Sequence, residues 1–379
     1  MGDRLRTGAD IMVQPSAESA PALKHIFDAA RIRHIADATR AVHAAFDGDR
    51  FVALGMAGHD ALSLMQRMRR VSEALHATLP ADYQEALQVL RALAPRLNSG
   101  FVTIALPEFV ARYGVDDVDA SLDALKYFTR FGSSEFAIRH FLRRDLAGTL
   151  AVMHTWSTDE NEHVRRLASE GCRPRLPWSF QLEPLLRDPS PVAGILENLK
   201  ADPSLYVRKS VANHLNDITK NNPAWVLDRL AGWSQDDPHT RWIVRHALRS
   251  LIKAGDKRAL ALVGAGAKAD IAVRAFTVTP ASIRLGESIA LSTEIVSTSS
   301  AAQQLVVDYA IHYVKKSGAT AAKVFKLKSL ALPAGASITL GRAQAIRSFT
   351  TRVHYAGRHE VELLVNGESV ARTAFDLIV

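Results

Sequence analysis

The chain has 379 residues, 47% of them hydrophobic and 23% charged, enough for about two domains and too apolar for global disorder. Lys and Arg number 47 against 39 Asp and Glu, and the resulting net charge of +8 suggests a polyanionic partner without naming one. A single cysteine, Cys172, excludes an intramolecular disulfide and a cysteine-based zinc site, and no run approaches the roughly 20 apolar residues of a membrane span.

Residues 1–22 lack the apolar middle of a secretory signal and read as a disordered tail. From Leu23 to about Asp270 apolar residues recur at helical spacing, as in EFAIRHFLRRD, PAWVLDRLAGW and TRWIVRHALRSLIKAG. This predicts an all-α domain over 23–270. Glu135 opens a predicted helix after Gly132-Ser133-Ser134. A first-turn glutamate with Arg139 four residues on has a purely structural explanation. It precedes Glu170 by about one repeat length, so the two carboxylates could face each other across adjacent hairpins.

The repeat itself is visible in three copies. DENEHVRR at 159–166, DPSLYVRK at 202–209 and DPHTRWIVRH at 237–246 each carry a Val-Arg pair. The spacing suits helical hairpins of HEAT type, with Asp capping the incoming helix and Pro in its first turn. Stacked hairpins form a solenoid. Its predicted basic faces are Arg165 and Arg166 in the first copy, Arg208, Lys209, Asn213, Asn216 and Lys220 in the second, and Arg241, Arg245, Arg249 and Lys253 in the third. Like charges four apart on a helix repel, so the third stripe costs stability unless an anion meets it. Phosphate contact is one reading, and a solvated helix face is the other.

Glu170 ends the first repeat helix, at the unfavourable negative end of its dipole, with Gly171 in the cap position. An i, i+4 pair with Arg166 would account for it structurally. The connection Arg173-Pro174-Arg175-Leu176-Pro177-Trp178 is basic, rigid and tipped by an aromatic ring, and Trp156 flanks it. A tryptophan after proline in a loop suits presentation to a ligand, whereas a tryptophan in a solenoid is usually core. Cys172 has no evident histidine base, and His154, His163 and Asp159 form no persuasive metal set.

After Ile271 the period becomes two, with Val, Ile, Thr and aromatic residues enriched, and Asn366-Gly367 is a hairpin signal. Six to eight strands predict an immunoglobulin-like sandwich over 271–379. Lys326 and Lys328 share a face there, either protecting an edge or touching a nucleic-acid backbone from the side opposite the solenoid. The charge is uneven: 1–125 carries a net −3, 126–258 carries +6 and 271–379 carries +5.

The runs WSTDENEHVRRLASEGCRPRLPW, DPSLYVRKSVANHLNDITKNNP and RWIVRHALRSLIKAGD, with LPEFVARYG and SSEFAIRHFLRRD upstream, resemble the AlkC branch of the AlkC/AlkD DNA alkylation-repair glycosylases. The strand-rich end resembles the immunoglobulin-like domain that some members carry. The resemblance implies a HEAT-like domain that binds duplex DNA and a monofunctional glycosylase removing cationic bases of the 3-methyladenine, 3-methylcytosine and 1-methyladenine class. It implies Glu135, Glu170 and Trp178 as catalytic residues, with Asp217 a weaker candidate in the same cleft. The residues themselves lead us to expect DNA contacts from Trp156, Arg173, Arg175 and the basic faces above. No cofactor or metal is expected. A cytoplasmic, nucleoid-associated monomer is expected, and a non-catalytic scaffold binding protein or undamaged DNA is the alternative.

Overall fold

A computed structural model describes residues 23–348 and 353–379, so the tail expected over 1–22 lies outside the described residues. The chain forms two compact units that divide between His140 and Phe141. The first contains α1 (Ala29–Arg40), α2 (Gly48–Met56), α3 (Leu64–Thr78), α4 (Tyr83–Leu93), α5 (Gly100–Thr103), α6 (Ala105–Tyr113) and α7 (Val118–Phe128). Their starts follow the sequence: Asp28, Asp47, Asp82 and Ser99 accept a backbone N–H from the first turn of the helix each one opens. Each helix turns an apolar stripe inward. On α3 that stripe is Met68, Val71 and Leu75, each worth about 1.5–3 kcal/mol when fully buried.

The helix α8 (Ile138–Arg144) runs across the division. The second unit continues with α9 (Leu146–Trp156), α10 (Glu162–Glu170), α11 (Glu183–Arg187), α12 (Ala193–Asn198), α13 (Leu205–Ile218), α14 (Pro223–Ala231), α15 (Pro238–Ala247), α16 (Arg249–Lys253) and α17 (Lys257–Leu262). The repeat copies become α10, α13 and α15, which pack in that order, α13 burying Val207, Val211, Leu215 and Ile218. Asp237 caps α15 through Thr240 N, whereas Asp202 sits three residues ahead of its helix and accepts the N–H of Ser204.

Among the described residues eight strands follow: β1 (Ile271–Thr279), β2 (Ser282–Arg284), β3 (Ser288–Ser297), β4 (Gln303–Val314), β5 (Thr320–Leu332), β6 (Ser337–Ala345), β7 (Gly357–Val365) and β8 (Glu368–Ile378). They form one sheet of order β1-β3-β6 and another of order β2-β8-β7-β4-β5, antiparallel except for β2 on β8. Leu305, Val307, Tyr309 and Ile311 point into the sandwich core, while Val306, Asp308 and Ala310 alternate with them and are buried too. The second burial has a cause: Val306 and Asp308 share a pocket with Arg245 and Ile252 from the helices.

The change of period at 271 is therefore not where the chain divides into compact units. The Asn366-Gly367 hairpin, with φ of 49° and 77°, forms as expected and packs onto the last helices. Asn366 donates to Ala267 O at 3.1 Å, and a Cβ on Gly367 would lie 2.9 Å from the Cα of Gly255. Lys257 pairs with Glu368 at 2.9 Å across the same seam.

Candidate active site and nucleic-acid interface

Glu170 is the last residue of α10 and only 6% exposed. Gly171 does not turn left-handed but stays right-handed at φ −64°, and Arg173 N bonds back to Glu170 O. That extra turn sets Arg173 beside the glutamate. Its Nη1 donates to Glu170 Oε1 at 2.6 Å, and its Nε donates to Asp217 Oδ2 at 2.9 Å. Arg166 lies 3.6 Å from the same Oε1, the i, i+4 pair expected from sequence. Ser210, on α13, donates to Glu170 Oε2 at 2.6 Å. Lys220 donates to Asp217 Oδ1 at 3.2 Å.

Two buried carboxylates from adjacent repeats are thus joined through one guanidinium. Burial works against the charge of Arg173, but Glu170 and Asp217 outweigh it and raise its pKa above the ordinary value. Ser210 and Asp217 are seven residues apart, two turns of α13, so both face the end of α10.

Trp178 occupies the loop that follows. Ser179 N bonds to Leu176 O, closing a turn with Pro177 second and Trp178 third. Pro at that place and a φ of 64° at Trp178 define a type II turn, whose third position favours glycine. A tryptophan there is strained by about 1–3 kcal/mol, and its ring is 63% exposed. Cys172 is buried and its thiol donates to Ala168 O.

Glu135 belongs to the first unit and does not open a helix. It lies in the turn ahead of α8, half-buried, and accepts from Ser133 Oγ at 2.9 Å. The turn is anchored by Ser134, which donates to Leu125 O, and by Gly132, where a Cβ would lie 2.5 Å from Gly100 O.

Several expected nucleic-acid contacts are instead internal. Trp156 is 4% exposed and is core. Arg165 grips Asp202 of the next repeat at 2.6 Å and donates to Asp159 O and Glu160 O. Arg208 repeats that geometry on Asp202 O and Pro203 O. In the first two copies the Val-Arg pair therefore marks an arginine folded back over the start of its own helix, while Arg245 of the third copy is exposed. Arg166 lies over the Tyr206 ring as well as beside Glu170, and Arg173 is 8% exposed. Asn216 is buried and bonds to Ser250, and Arg249 is held by His246 O and Asn213 Oδ1. A break at Leu248 ends α15 and splits the predicted third stripe.

Of the expected contacts, Lys209, Arg241, Arg245 and Lys253 on the helices, Lys220 just after α13, and Lys326 and Lys328 on β5 are exposed, while Arg175 is half-buried against Asn221. Their mutual field is marked at His246, whose pKa falls through burial and through Arg249, Lys209 and Lys326. Lys326 is likewise pushed down, by burial first and then by Arg245. Among the described residues no cluster of three His, Cys, Asp or Glu could hold a metal, and no helix is long and apolar enough to cross a membrane.

Sequence reasoning missed Ser210 and Asp308. Ser210 could have been found from its spacing, 40 residues after Glu170 and two turns before Asp217.

Residues 103–251 match the DNA alkylation repair enzyme family, and 272–379 match the C-terminal Ig-like domain of the uncharacterised protein YhaZ. YhaZ of Bacillus subtilis (strain 168) is 42% identical over 347 residues, 91% of this chain and 96% of its own. The solved Pseudomonas fluorescens alkylpurine DNA glycosylase AlkC, bound to DNA containing an abasic site analog, is 60% identical. The match covers 95% of this chain and 100% of that one, with a TM-score of 0.91. The chain belongs to the AlkC branch of the DNA alkylation-repair glycosylases, with the immunoglobulin-like domain at its C-terminus.

Proposed function

We propose that this protein binds duplex DNA and hydrolyses the N-glycosidic bond of cationic alkylated bases, of the 3-methyladenine, 3-methylcytosine and 1-methyladenine class. The observation that carries the reading is Glu170. A carboxylate 6% exposed, held by Arg173 and Ser210 at the end of a repeat helix, is fixed in place before any substrate arrives.

The chemistry asks little of a general acid. The alkylated base is positively charged, so when its bond to C1′ breaks, the electron pair leaves with it and the base departs neutral. The sugar is left as an oxocarbenium-like cation. A preorganised anion stabilises that cation in a water-poor site far better than water would. Glu170 also orients the attacking water and takes its proton as the new C1′–O bond forms. Trp178 offers an exposed aromatic face to the same cation. Asp217 is occupied by Arg173 and Lys220, and acts by anchoring Arg173. Glu135 enters the proposal on its sequence motif, and Glu135→Gln tests it separately.

Duplex binding rests on the exposed cations of α13, α15 and α16 and on Lys326 and Lys328. They neutralise phosphates without reading sequence, so selectivity comes from lesion lability and weakened pairing. The protein acts as a monomer in the cytoplasm, on the nucleoid. The test is release of free base from methylated duplex. Release of 3-methyladenine well above the spontaneous rate is expected, and release at the spontaneous rate would overturn the reading.

A further inference from the structure

We infer that Ser210 is a positioning residue for excision, setting which lone pair of Glu170 meets the reacting sugar and its water. The inference rests on the reading of Glu170 given above and adds a residue to it.

An ionised carboxylate offers about four acceptor directions, two on each oxygen. On Glu170, Oε1 takes Arg173 at 2.6 Å and faces Arg166 at 3.6 Å. Its second direction faces the Arg166 guanidinium, an ion pair beyond hydrogen-bond distance, so both directions of Oε1 look onto cations. Oε2 takes Ser210 at 2.6 Å and keeps its second direction. The side chain retains 7% exposure, so a narrow opening remains. Oε2 is therefore the oxygen that serves the reaction, and the Ser210 hydroxyl decides where its remaining lone pair points.

Ser210 suits this task. It is 2% exposed and sits mid-helix on α13, between Val207 and Val211, both fully buried. Its short side chain has a single torsion to set the hydroxyl. A hydroxyl also carries no charge, so it fixes the carboxylate without cancelling the anion that the oxocarbenium needs. Arg173 supplies the opposite kind of hold, a charged clamp shared with Asp217. The two holds come from different elements, the loop after α10 and the helix of the next repeat. Between them the carboxylate cannot swing about its last torsion.

The experiment uses the full chain with Ser210→Ala, Ser210→Thr, Ser210→Val and Glu170→Gln, each scored by single-turnover base release and by affinity for duplex containing an abasic-site analogue. Thr and Val fill the same volume, so their difference reads the hydroxyl alone even if the added methyl disturbs the site. Ser210→Ala is expected to slow release by roughly 10- to 100-fold, the weight of one hydrogen bond to a charged group. Affinity for the abasic duplex should stay within about twofold of the parent, because no group that meets a phosphate is altered. Ser210→Thr should release base at least tenfold faster than Ser210→Val. Full-rate release by Ser210→Ala, or equal rates for Thr and Val, would overturn the inference. So would a parallel loss of rate and affinity in Ser210→Ala, the mark of a merely structural role. Failure of the underlying reading looks different: Glu170→Gln would then release base at the parent rate, whatever Ser210 does.

Discussion

Glu170 and Asp308 are each 6% exposed, yet their surroundings are opposite. Glu170 sits between repeats and collects donors: a guanidinium, a hydroxyl and a second arginine. Asp308 sits where the sandwich meets the helices, on β4, and among the described residues no side chain lies within ion-pair distance of it. Its pKa is pushed up to about 6 by burial, with Lys326 and Lys253 pulling the other way at longer range. The first carboxylate is held in a fixed direction by its donors. The second is an anion at neutral pH with poor compensation, in a pocket that it shares with the cations Arg245, Lys253 and Lys326. A buried carboxylate is thus held in place when the fold supplies its hydrogen bonds, and costs stability when it does not.

Variants should separate the two. Arg173→Met strips the shared cation from Glu170 and Asp217 together, and should lower unfolding stability by roughly 3–5 kcal/mol in denaturant melts. Unchanged stability would mean that the network is not a unit. Asp308→Asn should do the reverse. A carboxyl whose folded pKa is raised binds more protons in the native state between its unfolded value near 4 and about 6. Stability then falls as pH rises through that window and stays low above it. The amide removes the penalty, so at pH 7 the variant should gain up to about 3 kcal/mol, and its stability should vary less between pH 4 and 7. A loss at pH 7 would contradict the assignment.

Much of this was legible beforehand. The change of period at Ile271, the Asn366-Gly367 hairpin and the repeat copies all appear in the structure, because each is written in local spacing. Partner choice was not. The Val-Arg pairs look like a cationic face, but Arg165 and Arg208 turn back onto carbonyls at the start of their own helices. Only the fold shows which arginines point inward. Trp156 and Asn216 were misread for the same reason, since a helix period gives a face but not what covers it. The continuous burial of β4 was equally hidden, because its outer face is covered by helices about sixty residues earlier in the chain.

Two smaller effects sharpen the picture. Trp178→Gly relieves a left-handed backbone and should stabilise the turn by about 1 kcal/mol while slowing base release. Melts and excision assays on one preparation would check the opposed signs. If both fall together, the tryptophan is structural. Replacing Arg241 and Arg245 by alanine should leave melting unchanged and reduce the salt slope of duplex affinity by roughly 1 for each phosphate no longer neutralised. An unaltered slope would place the duplex elsewhere.

On the proposed reading, a prepositioned Glu170 carboxylate drives excision. It is tested most directly by Glu170→Gln, compared with the parent in single-turnover release of 3-methyladenine at saturating enzyme. The account predicts a fall of about 10²–10³-fold, the size expected on losing one preorganised transition-state interaction, with duplex affinity retained. Release at the parent rate by a folded, DNA-binding Glu170→Gln protein would contradict it.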